Sequence, residues 1–243
     1  MSDLGTPIEV PTIPRIGADL SIAPLALCVV PFRLTSEGLE VGTVQRADLS
    51  LLPNGDPALE ESLDDAARQI ICDATQQCPL YIEQLYTFSL NPASFRQIVI
   101  SYIALFREST AIHAACRATI NWSPVRNVRL DRQLDRAVLG YAITRLRAKL
   151  GYTNIAFHLM PQSFTLTELQ HAYECVLEHP VDKRNFRRRM TGTGILDDTG
   201  KKRREGSHRP AALYRFASRD DQAAYLTPPW ALERLGSDAE ERE

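Results

Sequence analysis

Pro161–Met190, PQSFTLTELQHAYECVLEHPVDKRNFRRRM, is the stretch of this sequence that decides its fold. Thr165 is followed three residues later by Glu168, which is the capping-box pattern of a beginning helix. Pro180 ends this helix, and Asp182 can cap a second helix, KRNFRRRMT. The first helix buries an apolar face made of Leu166, Leu169, Tyr173, Val176 and Leu177. Two short helices joined by a tight turn indicate a helix-turn-helix unit.

The second helix divides into an apolar side and a basic side. Phe186 and Met190 are four residues apart and face the core together. The opposite side carries Arg184, Arg187, Arg188 and Thr191, with Asn185 at its flank. This division suits the major groove of DNA, where arginine can bond to guanine and asparagine to adenine.

A basic hairpin follows the second helix. Strands at Ile195–Asp197 and Ala211–Phe216 flank a turn, and Gly200 and Gly206 permit tight reversals. Inward-facing positions alternate along the second strand at Ala212, Tyr214 and Phe216. The turn is predicted to carry Lys201, Lys202, Arg203 and Arg204. A basic hairpin after a recognition helix is interpreted as a wing that contacts phosphates or the minor groove.

The charge distribution supports a separate partner for this region. The net charge of the chain is −2, but Lys183–Arg215 has 11 Lys and Arg against 3 Asp and Glu, a net charge of +8. The remaining residues have 17 basic against 27 acidic side chains, a net charge of −10. Such asymmetry suggests a basic segment with a partner of its own. Charge alone leaves RNA, or a merely solvated face, as alternatives.

Composition excludes several classes of protein. With 243 residues, 44% of them hydrophobic, the chain can bury a core without disulfides or metal. Its five cysteines are widely spaced and contain no CxxC, which indicates reduced thiols, and Cys72 is interpreted as a buried thiol rather than a nucleophile. The five histidines show no metal or triad spacing. We find neither a membrane-spanning run nor a signal peptide, and therefore expect a cytoplasmic protein with no membrane partner.

Strand and helix patterns alternate through the first two-thirds of the chain. Ile22–Phe32 is almost wholly apolar and predicts a buried strand, and Leu51–Pro57 is predicted to be a turn. Ser62 begins a helix, and a second helix spans about Asp131–Leu150, with Gly151 as its end. Further strands are predicted at Leu39–Ala47, Tyr81–Phe88 and Gln97–Phe106.

The turn and helix that include Gly55 and Glu61 resemble the start of the Nudix box. The box continues with Arg-Glu, two residues, Glu-Glu, one residue and Gly. Those positions hold Gln69, Ile70, Asp73, Ala74 and Gln76 here. In active Nudix hydrolases the glutamates hold Mg²⁺ against a diphosphate, and magnesium requires oxygen ligands. Ile70 and Ala74 supply none, so the resemblance implies a Nudix fold without Nudix chemistry.

Five segments together resemble the NrtR family of Nudix-related regulators of NAD metabolism. They are EQLYTF (Glu83–Phe88), YIALF (Tyr102–Phe106), PQSFTLTELQHAYE, DKRNFRRRM and RPAALYRF. The resemblance covers about residues 22–216 and implies an α+β fold, a Nudix-type α/β/α sandwich followed by a winged helix-turn-helix domain. It also implies a homodimer that represses genes of NAD synthesis or salvage. A NadQ-like subgroup is the narrower expectation.

The chain is expected to divide into four parts, because the sequence changes character near Leu159–Pro161. A flexible leader at 1–20 precedes an effector-sensing domain at 21–158. A winged-helix domain at 159–217 and a tail at 218–243 follow.

Two groups of residues are predicted to bind partners, while no catalytic residue, metal ligand or required cofactor is predicted. The DNA-binding group is Thr165, Thr167, Lys183, Arg184, Asn185, Arg187, Arg188, Thr191, Lys201, Lys202, Arg203, Arg204 and Arg209. The ligand-binding group is Arg46, Gln84, Tyr86, Phe88 and Arg96. Alternation places Gln84, Tyr86 and Phe88 on one strand face, where an aromatic ring could stack on adenine; Tyr86 and Phe88 are equally compatible with the core.

The partners implied are double-stranded DNA with a pseudo-palindromic operator and a nucleotide effector, either ADP-ribose, NAD or ATP. Two other functions compete with this regulator. One is a residual nucleoside-diphosphate hydrolase that uses Glu61 and Asp73 and is fused to a nucleic-acid-binding module. The other is a nucleic-acid-binding scaffold whose Nudix-like part only dimerises.

Overall fold

The computed structural model describes residues 24–90, 97–108, 119–192, 194–204 and 210–217. The first module contains β1 (Leu25–Thr35), β2 (Gly38–Arg46), β3 (Leu49–Leu51), β4 (Asn54–Gly55), α1 (Leu63–Thr75), β5 (Tyr81–Leu90), β6 (Gln97–Phe106), β7 (Ile120–Pro124) and α2 (Gln133–Tyr152). A 3-10 helix (Ile155–His158) leads to the second module, which contains α3 (Leu166–Leu177), α4 (Lys183–Gly192), β8 (Leu196–Arg203) and β9 (Ala211–Phe216).

The first module is built on a mixed seven-stranded sheet. Its main path runs β3-β2-β1-β6-β5, with β4 paired to β1 and β7 paired to β2. Strands β1 and β6 are parallel, and the other pairings are antiparallel. Strand β5 therefore lies at one end of this path.

Helices cover both faces of this sheet because its apolar side chains alternate. Leu27, Val29 and Tyr102 belong to the core on one side, together with Ala67 and Ile71 of α1. The other side carries a second set packed with α2, which includes Val30, Phe32, Ile103, Val138 and Leu146. The α+β fold and the α/β/α sandwich are thus as predicted.

Helix α1 begins as expected but ends in an arrangement that the sequence did not reveal. The Ser62 hydroxyl accepts a hydrogen bond from the Asp65 amide at 3.1 Å and caps the helix. At the other end Gln76 adopts a left-handed conformation, with φ 57°. This reversal brings the Cα atoms of Cys72 and Cys78 to 4.7 Å, and the two cysteines form a disulfide. The prediction of reduced thiols is wrong for this pair, whereas Cys28 and Cys175 are free thiols.

Several element boundaries also differ from expectation. Helix α2 continues through Gly151 to Tyr152, and the Thr153 amide and hydroxyl both bond to the Lys149 carbonyl. Strand β7 was not predicted. Asn54–Gly55, in the predicted turn, pairs with β1. The basic residues 201–203 lie within β8 rather than in the hairpin turn, because a β-bulge lets the ladder with β9 continue past Asp198.

The second module shares its core with the first. One buried cluster continues from Phe32 of the sheet, through Leu150 and Ile155, to Phe164 and Leu169 beside α3. Polar contacts reinforce this joint. Arg147 of α2 donates from Nε to the Val176 carbonyl at 2.8 Å and forms an ion pair of 2.5 Å with Glu178. His171 of α3 lies 3.4 Å from the Ser36 carbonyl in the β1–β2 turn.

No helix within the described ranges has the length and apolar character needed to span a membrane.

Candidate nucleic-acid interface and ligand site

The N-terminus of α3 fixes two residues of the predicted DNA-binding group. The Thr165 hydroxyl accepts from the Glu168 amide at 3.2 Å, while the Glu168 carboxylate accepts from the Thr165 amide at 2.7 Å. Thr165 is only 7% exposed. Its hydroxyl therefore caps the helix and is not presented to DNA, which corrects that prediction. Thr167 is exposed, and its hydroxyl accepts from Arg187 Nη2 at 2.9 Å.

The turn between α3 and α4 is held by one carboxylate. Glu174 Oε1 accepts from the side chain of Gln170 and from the Val181 amide, both at 3.0 Å. Hydrogen bonds from Gln170 and from the Val181 amide hold the pKa of Glu174 below its ordinary value. The chain reverses at Glu178, whose φ is 57°. These contacts hold the turn between α3 and α4 in place.

Helix α4 places its basic side outward. Asp182 Oδ1 accepts from the Asn185 amide at 2.7 Å and caps the helix, as predicted. Phe186 and Met190 are buried, and the ring of Phe186 packs edge-on against Tyr173. The side chains left exposed on α4 are Lys183, Arg184, Asn185, Arg188 and Thr191.

The arginines of α4 differ in how they are held. Arg187 is half-buried and reaches back to Thr167 of α3. Arg188 Nη2 donates to Asn185 Oδ1 at 3.3 Å, so these two side chains are presented together. Arg184 is exposed near the N-terminal end of the helix. Arg184 and Arg188 therefore project from the exposed side of α4, whereas Arg187 contacts α3.

Strands β8 and β9 form the predicted wing. Phe164 and Tyr214 exchange backbone hydrogen bonds of 3.0 and 2.8 Å, which add a third short strand to the hairpin. Lys201, Lys202 and Arg204 are exposed. Arg203 forms an ion pair of 2.5 Å with Glu168, so it ties the wing to α3. Arg209, also predicted to bind DNA, lies outside the described residues.

The Nudix-box positions do not fit a magnesium ion. Ile70 packs on the backbone of Gly55, where an added Cβ would lie 3.2 Å from Ile70 Cδ1. Ala74 is buried, and Asp73 accepts a hydrogen bond of 2.7 Å from Gln69. Magnesium needs oxygen ligands that these apolar side chains lack. Across the described ranges, no group of three or more His, Cys, Asp or Glu side chains could hold a metal ion.

Of the predicted ligand-binding residues that the structure describes, Tyr86 and Phe88 lie together, whereas Gln84 and Arg46 lie apart from them. A β-bulge at Leu85 shifts the register, so Gln84 pairs with Tyr102 but Tyr86 pairs with Ser101. Since neighbouring residues of a strand face opposite sides, Gln84 points to the α1 side and Tyr86 to the α2 side. Simple alternation predicted that Gln84 shares a face with Tyr86 and Phe88, and this prediction is wrong for Gln84. Phe88 is on the α2 side with Tyr86, and their rings are 5.1 Å apart.

Arg46, one of the two predicted arginines, is not beside this pair of rings. Arg46 ends β2, three strands from β5 and therefore about 14 Å away, and donates to the Asn54 carbonyl at 2.9 Å. Arg96 lies outside the described residues.

Several candidate ligand-binding residues were not predicted from the sequence. Tyr141 of α2 packs 5.1 Å from the ring of Tyr86, and Arg145, one turn further along, forms an ion pair of 3.2 Å with Glu83. Glu83 also accepts from Lys149, whose Nζ donates to the Tyr81 hydroxyl at 2.8 Å. Burial opposes ionisation of Glu83, but hydrogen bonds from Lys149 and Tyr81 hold its pKa below the ordinary value. The spacing of four between Tyr141, Arg145 and Lys149 was the available signal.

Comparisons with known proteins agree with this architecture. Residues 156–216 match the family model of the NrtR DNA-binding winged helix domain. A crystal structure of Shewanella oneidensis NrtR complexed with a 27mer DNA is similar with a TM-score of 0.74 and 30% identity, over 84% of this chain and 98% of that chain. A MutT/nudix family protein from Enterococcus faecalis has a TM-score of 0.62 and 18% identity over 81% of this chain and 89% of its own, which shows the fold alone.

A curated relative from Acinetobacter baylyi, named "ADPR responsive transcriptional repressor NtrR", is 45% identical over 94 residues. The match spans 38% of this chain and only 37% of that relative's length. The Shewanella match, in contrast, extends over nearly the whole of its relative and over both modules described above. The chain therefore belongs to the NrtR family of Nudix-related regulators.

Proposed function

We propose that this chain is a DNA-binding transcriptional repressor of genes for NAD synthesis or salvage, controlled by an adenine nucleotide. The observation that carries the proposal is the exposed basic side of α4 next to the basic wing. Support also comes from the relatives, one of which is described in complex with DNA and another as ADPR-responsive. ADP-ribose is therefore the first effector to test, ahead of NAD and ATP. We place the protein in the cytoplasm, where its operator and effector would be.

The division of labour on DNA follows from exposure. Arg184 and Arg188 read base edges, with Asn185 beside them, because they are exposed and project away from the buried Phe186–Met190 side of α4. Phosphate contacts come from Lys183, Thr167, Thr191, Lys201, Lys202 and Arg204, and Arg209 is assigned to the same group. Two copies of the chain related by a two-fold axis read a pseudo-palindromic operator. We propose that the sensing domain ends at residue 158 and that the winged-helix domain begins at residue 159.

The Nudix-type domain acts as a sensor and not as a hydrolase. Ile70 and Ala74 occupy positions where magnesium would need carboxylates, and Asp73 is bonded to Gln69. We therefore expect no Mg²⁺-dependent release of AMP from ADP-ribose above a control without protein. Robust release that is abolished in an Asp73→Asn variant would instead establish a residual hydrolase.

The decisive experiment is a DNA titration at several salt concentrations, with the operator and with a scrambled duplex, in the presence and absence of ADP-ribose. A regulator prefers the operator and loses or gains affinity when the effector is added. Equal affinity for both duplexes would contradict sequence-specific regulation. If the protein prefers the operator but no NAD-related nucleotide changes its operator affinity by at least threefold, the result would favour a DNA-binding scaffold without a sensing function.

A further inference from the structure

Exposed aromatic rings mark the α2 side of the sheet. Tyr86 is 50% exposed and Tyr141 is 42% exposed, and Phe88 packs within 6.5 Å of Tyr141. Large aromatic side chains are usually buried, and a cluster of exposed rings is typical of a binding surface. Because Tyr86 and Tyr141 are only 5.1 Å apart, a planar ligand would stack on their outer faces and not between them.

A positive charge lies directly beside these rings. Arg145 is one helical turn from Tyr141, on the same side of α2, and its side chain is 41% exposed. Glu83 is a single carboxylate shared by two cations, Arg145 and Lys149, so the three side chains have a net charge of +1. An aromatic surface next to a partly exposed guanidinium matches a ligand with a flat base at one end and phosphate at the other.

We propose that Tyr86, Tyr141 and Arg145 form the effector site, which lies on the α2 face and not on the Nudix-helix face. This inference rests on the proposed function and specifies its sensing step. The base stacks on the tyrosines, and a phosphate pairs with Arg145 in competition with Glu83. The ligand belongs to the class of adenine nucleotides with at least one phosphate, of which ADP-ribose is the probe.

Glu83 connects this site to the winged helix. The same carboxylate accepts from Lys149, and Lys149 donates to the hydroxyl of Tyr81. The ring of Tyr81 lies 4.8 Å from that of His158, the last residue of the 3-10 helix. The preceding residue, Phe157, stacks on Phe216 at the end of the wing. A phosphate that draws Arg145 from Glu83 therefore alters a contact chain that ends in the DNA-binding module.

The test compares variants of the full chain for ADP-ribose affinity, by calorimetry, and for operator affinity with and without ADP-ribose. Tyr141→Ala and Arg145→Gln should each weaken ADP-ribose binding by about tenfold or more. Without the effector, Tyr141→Ala should bind operator as the wild type does. Arg145→Gln removes the ion pair with Glu83 and should therefore shift operator affinity in the same direction as ADP-ribose shifts it in the wild type. Leu49→Ala, an exposed apolar residue on β3, and Arg129→Gln, an exposed arginine outside α2, are the matched controls and should change neither affinity.

Glu83→Gln separates binding from signalling. It releases Arg145 for phosphate, so ADP-ribose affinity should be kept or rise severalfold, while the effect of ADP-ribose on operator affinity should shrink. Unchanged melting temperatures would show that the variants fold.

Wild-type ADP-ribose affinity in both Tyr141→Ala and Arg145→Gln would overturn the inference and leave the proposed function standing. The inference would also be overturned if these variants became monomeric but bound ADP-ribose as the wild type does. The surface of Tyr86, Tyr141 and Arg145 would then be a self-association surface. If ADP-ribose neither binds nor alters operator affinity in the wild-type protein, the sensing function itself fails.

Discussion

At the scale of single residues, the arginines of α4 give the sharpest prediction for DNA. Arg184→Ala removes a guanidinium assigned to a base edge, and the expected cost is about 1–3 kcal/mol for the operator together with relaxed sequence preference. The measurement is a titration against an operator selected from random DNA and against single-base variants of it. Arg126→Ala, an exposed arginine of the first module, is the control. An Arg184→Ala/Arg188→Ala double variant with full affinity and preference would show that another element reads the bases.

Lysines of the wing are predicted to act differently from the arginines of α4. Lys201→Ala or Lys202→Ala should weaken operator and scrambled DNA alike, because a phosphate contact carries no sequence information. Each loss should reduce the slope of log affinity against log salt by about 1. Titrations at four salt concentrations measure that slope. A change confined to the operator would assign these lysines to base contacts instead.

Asp135 provides a stability prediction at the same scale. Its side chain is fully buried, accepts from the Leu52 amide at 2.9 Å and forms an ion pair of 3.1 Å with Arg132. Asp135→Asn should lower the free energy of unfolding by about 1.5–3 kcal/mol, since a charged acceptor of a buried amide is lost. Urea denaturation checks this. Asp131→Asn, whose carboxylate accepts from the Ser50 amide at an exposed site, should cost clearly less; equal losses would contradict the role of burial.

Single-residue roles were predictable only where a pattern fixes orientation. Phe186 and Met190 are buried as predicted because their spacing of four defines one side of a helix. The capping-box pattern correctly identified Thr165 as a helix cap. Thr165 was also predicted to bind DNA, but its side chain is buried and its hydroxyl is used in the cap. Which arginine of α4 reaches back to Thr167 depends on contacts between helices, which no spacing within one helix reveals.

At the scale of elements, the α3–α4 turn depends on the ionised form of Glu174. Hydrogen bonds from Gln170 and from the Val181 amide lower its pKa from 4.5. A carboxyl group with a lowered folded pKa stabilises the fold above its unfolded pKa, and this stabilisation disappears as the pH falls through the folded value. Glu174→Gln should therefore destabilise the protein by about 0.5–1.5 kcal/mol at pH 7. The difference from wild type should begin to shrink as the pH falls to 4.5 and should disappear as it falls through the lower folded pKa.

Thermal melts of the two proteins from pH 7 to pH 3 would measure this difference. A gap that persists at pH 3 would mean that Glu174 acts through packing and not through its charge.

Helices were predicted better than strands from this sequence. The caps at Ser62, Thr165 and Asp182 are local hydrogen bonds between nearby residues, so the sequence contains all their information. The bulge at Leu85 and the disulfide between Cys72 and Cys78 depend on where the chain turns and on what it pairs with. Such tertiary information is absent from periodicity, which is why Gln84 was placed on the wrong face.

At the scale of the whole molecule, two-fold symmetry predicts the form of the operator. One copy presents one recognition helix, and a dimer presents two that are about 34 Å apart or a multiple of that distance. Inserting about five base pairs between the half-sites should turn one half-site to the opposite face and lower affinity toward that of a single half-site. Inserting about ten should restore much of it. Equal affinity for all three spacings would contradict a rigid dimer.

The order of the two modules was predictable because the basic segment and the degenerate Nudix box each have a local signature. How the modules are joined was not. The change in sequence pattern near Leu159 indicated a domain boundary there. The structure instead has one apolar cluster that continues from Phe32 to Leu169. Arg147 bridges the same joint through Val176 and Glu178, residues separated from it by about thirty positions of chain, a distance at which sequence patterns carry no information.

That continuous core restricts how the chain can evolve. A winged helix with a self-contained core can be transplanted between unrelated sensors by gene fusion, and only its linker must adapt. Here, transplantation would uncover apolar surface on both fragments, and each would become prone to aggregation. Substitutions on α2 and α3 at the joint must also compensate for one another to preserve packing. Among related sequences, residues around Leu150 and Leu169 should therefore covary. The exposed basic side chains of α4 and the wing should instead diverge together with the operator sequence.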